Sequence, residues 1–311
     1  DKKRSCFSIK LEVKMASFGR LITAMITPFT TQGDIDYSQS RKLARGLSES
    51  GSDAILIGGT TGESPSMSDT EKIRLFAEIK EEMGNEVDII AGTTDNNHNK
   101  SVELTEEAEK VGVDGILLTV PAYNKPTMEG LYQNFKSIAA STSLPCLLYN
   151  VPSRTSLNMD TETTLRLAEI DNIIGVKEAS SDYTQITTII DKAPLGFDVW
   201  SGNDDETFPI MCVGGYGVVS VASNLYGLQI KNMMSLILEG NIEAAAAAHK
   251  KLLPLFKALF WVTNPLPIKY AVTRSGFNAG TYRLPLWEPN SNFTKKFDAV
   301  MDQYSADLPI I

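Results

Sequence analysis

The chain has 311 residues, 42% hydrophobic and 22% charged, with a formal net charge of −9. This is the composition of an ordinary globular protein, and the negative balance argues against a nucleic-acid polyanion as partner. No apolar run reaches the length of a membrane span, and Cys6, Cys146 and Cys212 are odd in number and form no CxxC, which argues against a disulfide framework and for a reducing compartment.

Residues 1–14, DKKRSCFSIKLEVK, start with basic residues like a signal peptide. Lys10 interrupts their only apolar stretch and no small-residue cleavage site follows, so the expectation is an N-terminal extension, disordered or a cloning remnant, with the native start near Met15. A strand-like run from Leu21 to Phe29 then opens a barrel region expected over 15–235, and a helical pattern follows from about Tyr37 to Ser50. Further strands are expected at Ala54–Gly58, Val87–Thr93, Gly115–Val120, Cys146–Asn150, Ile173–Lys177, Phe197–Ser201 and Gly217–Val221. Amphipathic helical stretches lie between them, among them Asp69–Met83, Lys100–Val111, Met128–Ala140, Thr161–Ile170 and Tyr183–Asp191. A repeated strand-then-helix order demands parallel strands with crossover helices. About eight such units fit a (β/α)8 TIM barrel, an α/β fold, better than an open doubly wound sheet. Beyond them, 236–311 reads as a helical appendage, with segments at Asn241–Phe260, Pro265–Ser275 and Asn292–Tyr304 that Pro254, Pro265 and Pro267 break. Length alone suggests two domains, but barrels of this size are routinely one.

The sixth strand and its end, Ile173 to Ser180, read IIGVKEAS. Its apolar, β-branched run is that of a strand buried on both faces. Lys177 at its end is costly to desolvate; a buried ammonium loses its proton more easily, and the free amine can attack a carbonyl to form a Schiff base. The plain structural alternatives are a lysine snorkelling out of the barrel end or one paired with Glu178.

In a barrel, reactive groups sit at the carboxyl ends of the strands. The second strand ends in GGTTGES, Gly58 to Ser64, whose glycines allow a tight turn and whose hydroxyls and amides can hold a carboxylate. It lacks the GK[ST] of a P-loop and could equally be an ordinary turn. The fourth ends in TVPAYNKP, Thr119 to Pro126, and the fifth in YNVPSRT, Tyr149 to Thr155. The Tyr149 phenol can relay a proton and Arg154 can grip a carboxylate through two bonds, although a core-edge tyrosine and a surface ion pair would leave the same residues. The seventh strand ends in SGND, with small Gly202, and the eighth reads GVVSVASN, where Val219 could offer a backbone carbonyl or serve only as core. Two histidines, His98 and His249, leave little material for a zinc site or a Ser-His-Asp triad. Each motif alone is weak; their joint order at successive strand ends is specific.

In that order the chain, from about Arg20 to Leu286, resembles the dihydrodipicolinate synthase family of pyruvate-dependent class I aldolases, which also holds N-acetylneuraminate lyase. The resemblance implies that Lys177 forms a Schiff base with pyruvate and that Tyr149 donates and accepts protons. Thr60 and Tyr123 match its relay partners, and Thr61 and the Val219 backbone match substrate-binding positions, beside which the small Gly202 leaves room for a ligand. Arg154 matches the arginine that receives the second substrate's carboxylate, which favours condensation with aspartate semialdehyde over the lyase reaction. Ala122 departs from the pattern, since a second tyrosine commonly precedes the one matching Tyr123.

The implied reaction belongs to lysine and diaminopimelate biosynthesis and needs neither metal nor cofactor, because the lysine supplies the electron sink. The rivals are another 2-oxo-acid aldolase and a non-catalytic pyruvate-binding regulator, against which the intact Lys177, Tyr149 and Thr60 set speaks. The implied partners are small molecules, pyruvate and aspartate semialdehyde, with no nucleic acid and no membrane. The implied assembly is a homodimer at least and a homotetramer in full, in the cytoplasm, with Tyr123 reaching into the neighbouring subunit's site. Lysine-sensitive members hold their inhibitor at the dimer interface. There the matching positions are Asp69, Lys72, Asn96, Lys100 and Ala122, and Lys100 replaces an acid, so feedback inhibition by lysine is not expected.

Overall fold

The computed structural model describes residues 18–309, and the expectation for residues 1–14 lies outside them. Eight strands follow one another: β1 (Leu21–Ala24), β2 (Ala54–Ile57), β3 (Asp88–Gly92), β4 (Gly115–Thr119), β5 (Cys146–Asn150), β6 (Ile173–Glu178), β7 (Asp198–Ser201) and β8 (Gly217–Ser220). Each pairs in parallel with the next, and β8 closes on β1. The crossovers carry α1 (Tyr37–Glu49), α2 (Asp69–Met83), α3 (His98–Lys110), α4 (Met128–Ala139), the four-residue α5 (Pro152–Thr155), α6 (Thr161–Ala168), α7 (Tyr183–Lys192) and α8 (Thr207–Cys212). After β8 comes α9 (Ser223–Leu238), and the expected junction at 235/236 falls in its last turn. This is the TIM barrel and not the open sheet.

The apolar runs form strands because parallel strands in such a barrel are covered on both faces. Alternate residues face inward, where Ile22, Leu56, Ile90, Leu117, Leu147, Trp200 and Val219 fill the barrel. Their neighbours Leu21, Ile55, Ile89, Ile116, Leu148 and Val218 face outward and pack with the helices, for example with Leu43, Phe76 and Phe135. One inward position must be glycine. A Cβ on Gly175 would lie 2.3 Å from the Asp198 carbonyl oxygen and 2.6 Å from the Trp200 ring, so the indole takes the space that the sixth strand leaves.

Two expectations need correction. β1 ends at Ala24 and does not run to Phe29. Its continuation leaves the sheet because Ile26 donates its N–H to the Asn224 side chain, Pro28 has no N–H to give, and Phe29 bridges to Ile35 and Gly280. Pro254 does not break its segment either: α10 (Ile242–Ala258) runs through it. A proline inside a helix costs roughly 3 kcal/mol, and burial of Leu252, Leu255 and Phe256 around it offsets that.

The C-terminal segment continues with α11 (Leu266–Arg274), which starts at the Pro265/Pro267 pair as a helix tolerates proline in its first turn, and α12 (Ser291–Met301). Phe293 stacks on Phe297 and Trp261 meets Phe297 edge-on, joining α12 to the end of α10. α11 turns the wholly buried Lys269 toward the loop after β2.

Candidate active site

Strand register brings the two central groups together. Tyr149 on β5 lies beside Lys177 on β6, both inward. Lys177 is only 5% exposed, so it does not snorkel, and its Nζ sits 4.0 Å from the centroid of the Tyr149 ring. Pairing with Glu178 is overturned as well. Alternation turns Glu178 to the outer face, where its carboxylate accepts from Asn150 Nδ2 (3.0 Å), Ser180 N (2.9 Å) and Gln185 Nε2 (3.1 Å). Because Asn150 follows Tyr149 and Glu178 follows Lys177, this outer tie holds together the two strand ends that carry the inner pair.

Burial pulls the Lys177 pKa down to about 7; Asp204 opposes the shift and Arg154 adds to it. Burial also pushes the Tyr149 phenol up to about 12, with Arg154 partly offsetting it. At neutral pH the site thus holds an amine that is free in a large fraction of molecules beside a protonated phenol. Asp204 is itself buried, accepting from the Val221 and Ala222 N–H groups at 3.1 Å each and from the Ser220 hydroxyl. It is the last letter of the SGND motif, but nothing in its spacing announces that it ties the seventh strand's end to the eighth's.

Lys177 and Tyr149 open into a cavity of about 310 Å³ at the carboxyl ends of the strands. Of the residues singled out from the sequence, it brings together Thr60, Thr61, Tyr149, Arg154, Lys177 and Gly202. Thr60 and Thr61 ride on a single 3-10 turn, Thr60–Gly62, directly after β2. At Gly202 a Cβ would meet the Ala179 Cβ at 2.7 Å, so a larger residue would not fit without displacement. Arg154 is in the last turn of α5 and exposed at the mouth, where its Nη2 donates to the Asn264 carbonyl at 3.3 Å.

Two expected residues stand apart. The Val219 side chain is wholly buried in the barrel filling opposite Ile22, as its reading as core requires, and the side chain that lines the cavity beyond it is that of Val221. Tyr123 lies outside the cavity, 92% exposed, on backbone with φ of 73°. The structure adds Asn264, 6% exposed, whose Nδ2 donates to Thr61 Oγ1 at 2.9 Å and whose Oδ1 is buried without a partner. Its only signal in the sequence was its place before the Pro265/Pro267 pair, which reads as a helix boundary.

Chemically the arrangement offers a nucleophilic amine, a phenolic proton donor, hydroxyls beside them and a guanidinium at the entrance. That combination suits imine chemistry on a small carboxylate-bearing carbonyl compound.

The Dihydrodipicolinate synthetase family profile matches residues 17–304. A 4-hydroxy-tetrahydrodipicolinate synthase of Dehalococcoides mccartyi strain CBDB1 is 51% identical over 296 residues, 95% of this chain and 100% of the relative. A solved dihydrodipicolinate synthase from Bacillus anthracis superposes with a TM-score of 0.92 at 41% identity, covering 93% of this chain and 99% of that one. A dihydrodipicolinate synthase from Acinetobacter baumannii, solved in complex with pyruvate, gives 0.88 at 33% identity over 92% and 99%.

Proposed function

The chain belongs to the dihydrodipicolinate synthetase family, and on that premise we infer that it condenses pyruvate with L-aspartate 4-semialdehyde to 4-hydroxy-tetrahydrodipicolinate, as a lyase of the class I aldolase type. The product serves diaminopimelate and lysine biosynthesis. The observation that carries the reading is the buried Lys177 amine, with its pKa near 7, against the Tyr149 ring in a cavity that Thr60 and Thr61 also line.

Lys177 Nζ attacks the ketone carbon of pyruvate, and the carbinolamine loses water to give an iminium. The iminium draws electrons from the methyl group, which gives up a proton and becomes an enamine. The enamine carbon adds to the aldehyde, and the substrate's own amine then displaces Lys177 by transimination, closing the ring. Tyr149, protonated at neutral pH, gives its proton to the departing hydroxyl and takes protons back through Thr60. Thr61 and Gly202 border the pyruvate, with Val219 contributing through its backbone, and Arg154 receives the semialdehyde's carboxylate.

Tyr123 completes the relay from a second copy of the chain. Its near-complete exposure in one subunit supports this, because a phenol with a role in the site has to be covered by something. The assembly is therefore a homodimer at least, and a homotetramer in the full form. Among the described residues no helix is long and apolar enough to cross a membrane, and we place the enzyme in the cytoplasm with its substrates.

A coupled assay with pyruvate and aspartate semialdehyde tests this reading. Turnover with that aldehyde and none in the cleavage of N-acetylneuraminate is the expected result. The reverse pattern would make the chain a sialic acid lyase, and pyruvate binding with no turnover would make it a regulator.

A further inference from the structure

The turn that carries Thr60 and Thr61 is gripped from behind by the C-terminal helices. Glu63 closes this turn with φ of 59°, a left-handed conformation that glycine adopts freely and other residues adopt at a cost. The turn alone would be better served by glycine; what glutamate adds is a carboxylate. That carboxylate is 1% exposed, and its Oε1 lies 2.8 Å from Nζ of Lys269, on α11, whose side chain is 0% exposed. Oε2 accepts the backbone N–H of Arg283 at 3.1 Å. The Arg283 guanidinium runs outward to Glu71 at the start of α2 and to the Gly33 and Ser66 carbonyls. Lys269 Nζ also rests 4.2 Å from the centroid of the Phe29 ring.

Two further bonds hold the same short segment. Asn264 donates to the Thr61 hydroxyl at 2.9 Å, and Thr27 donates to the Gly62 carbonyl at 2.8 Å. The C-terminal segment thus holds the turn at two points, Asn264 on Thr61 and Lys269 on Glu63. A buried ion pair is a weak source of net stability, since desolvating both charges offsets most of their attraction. Burial accordingly pulls the Lys269 pKa down to about 8, with Glu63 opposing. What such a pair does enforce is one geometry, because any shift of the turn would leave both charges buried and uncompensated.

We infer that Glu63 and Lys269 are positioning residues whose buried contact fixes the Thr60–Thr61 turn relative to Lys177 and so sets the affinity for pyruvate. This rests on the reading of Thr60 and Thr61 as groups that meet pyruvate and relay its protons. It gives the C-terminal helices a part in the site beyond covering the barrel.

The test uses the full-length enzyme with Glu63→Gln, Lys269→Met and the double variant. The double variant removes both charges and leaves neither uncompensated, so its fold is expected to melt close to the parent. The singles should raise the KM for pyruvate about tenfold while leaving the KM for the semialdehyde within about twofold, and the double variant should keep the raised pyruvate KM although its stability returns. A folded double variant with the parent's pyruvate KM and kcat would overturn the proposal. Failure of all three variants to fold would assign the pair to folding alone and overturn it equally. Borohydride trapping of pyruvate on Lys177 in the unsubstituted enzyme is run alongside. Its failure would remove the underlying reading, whereas its success with unaltered variants removes only the positioning role.

Discussion

Lys177 and Tyr149 face each other across the β5–β6 register, with the lysine nitrogen 4.0 Å from the centre of the phenol ring. The ring face is a poor substitute for water. It offers the ammonium some quadrupole attraction but no hydrogen bond, so burial prevails and the amine's pKa drops.

The first prediction concerns pH. A lysine whose pKa is lowered to about 7 is protonated below that value and free above it. The rate at which pyruvate is trapped on the enzyme by cyanoborohydride should climb between about pH 6 and 8 and then level off. Peptide mass spectrometry should find the adduct on Lys177. A rate still rising steeply above pH 9, or an adduct on another lysine, would contradict the assignment.

The same shift has a cost in stability. Between about 7 and the ordinary 10.5 the unfolded chain holds a proton at this position that the folded chain does not, so stability from this group rises with pH across that window. Below it both states are charged and the full penalty remains. Lys177→Met should therefore abolish activity and stabilise the fold, by on the order of 5 kcal/mol near pH 6 and by much less near pH 10. Denaturant titrations at both pH values measure this; equal stabilisation at the two would argue against a strained amine.

Arg154 stands at the cavity mouth, exposed, with a single donor spent on the Asn264 carbonyl. Arg154→Ala should impair use of aspartate semialdehyde and spare imine formation with pyruvate. A contact between charged groups is worth about 1.5–3 kcal/mol, or roughly a tenfold to hundredfold loss in kcat/KM for the aldehyde. Steady-state kinetics with each substrate varied in turn would show it, and an unchanged aldehyde response would refute the role.

For assembly, mixing Tyr123→Phe subunits with Lys177→Ala subunits should restore activity. The hybrid holds one site with an intact lysine from one chain and an intact tyrosine from the other. If mass spectrometry verifies subunit exchange and activity stays at the parental levels, Tyr123 does not act across an interface.

The last prediction is insensitivity to lysine. Asp69, Lys72, Asn96, Lys100 and Ala122 line one groove of about 740 Å³ beside the cavity. Ala122 offers neither ring nor hydroxyl, and Lys100 would face the inhibitor's ammonium. Two like charges about 4 Å apart cost roughly 1 kcal/mol in water and about 4 at an effective dielectric near 20. Asp69 does not stand ready as a substitute acid, because Lys72, buried, already lies 3.6 Å from it. Binding should weaken by at least about tenfold relative to a sensitive enzyme. Initial rates and calorimetry decide; saturable inhibition below about 1 mM lysine would show the groove to be misread.

Much of this molecule was legible along the chain. Strand and helix periods are local properties, so the eight units and the end of β6 could be read from runs such as AILI, CLLYN and IIGVK, and Lys177 was conspicuous as the charge at the end of an apolar strand. Tyr149, Arg154 and Gly202 stood out at strand ends, Thr60 and Thr61 were named through the family resemblance, and all five line one cavity because parallel closure brings such ends to one rim. What the chain could not announce are the relations that closure and packing create. Proline marks a helix boundary only if nothing outweighs it, and at Pro254 the burial around α10 does. Whether Val219 meets the cavity depends on how deep β8 sits against β1, a register no local pattern encodes. Glu63 and Lys269 are 206 positions apart, and no local pattern pairs them. Only the docking of α11 behind the β2 turn takes water from both at once and makes each the other's partner.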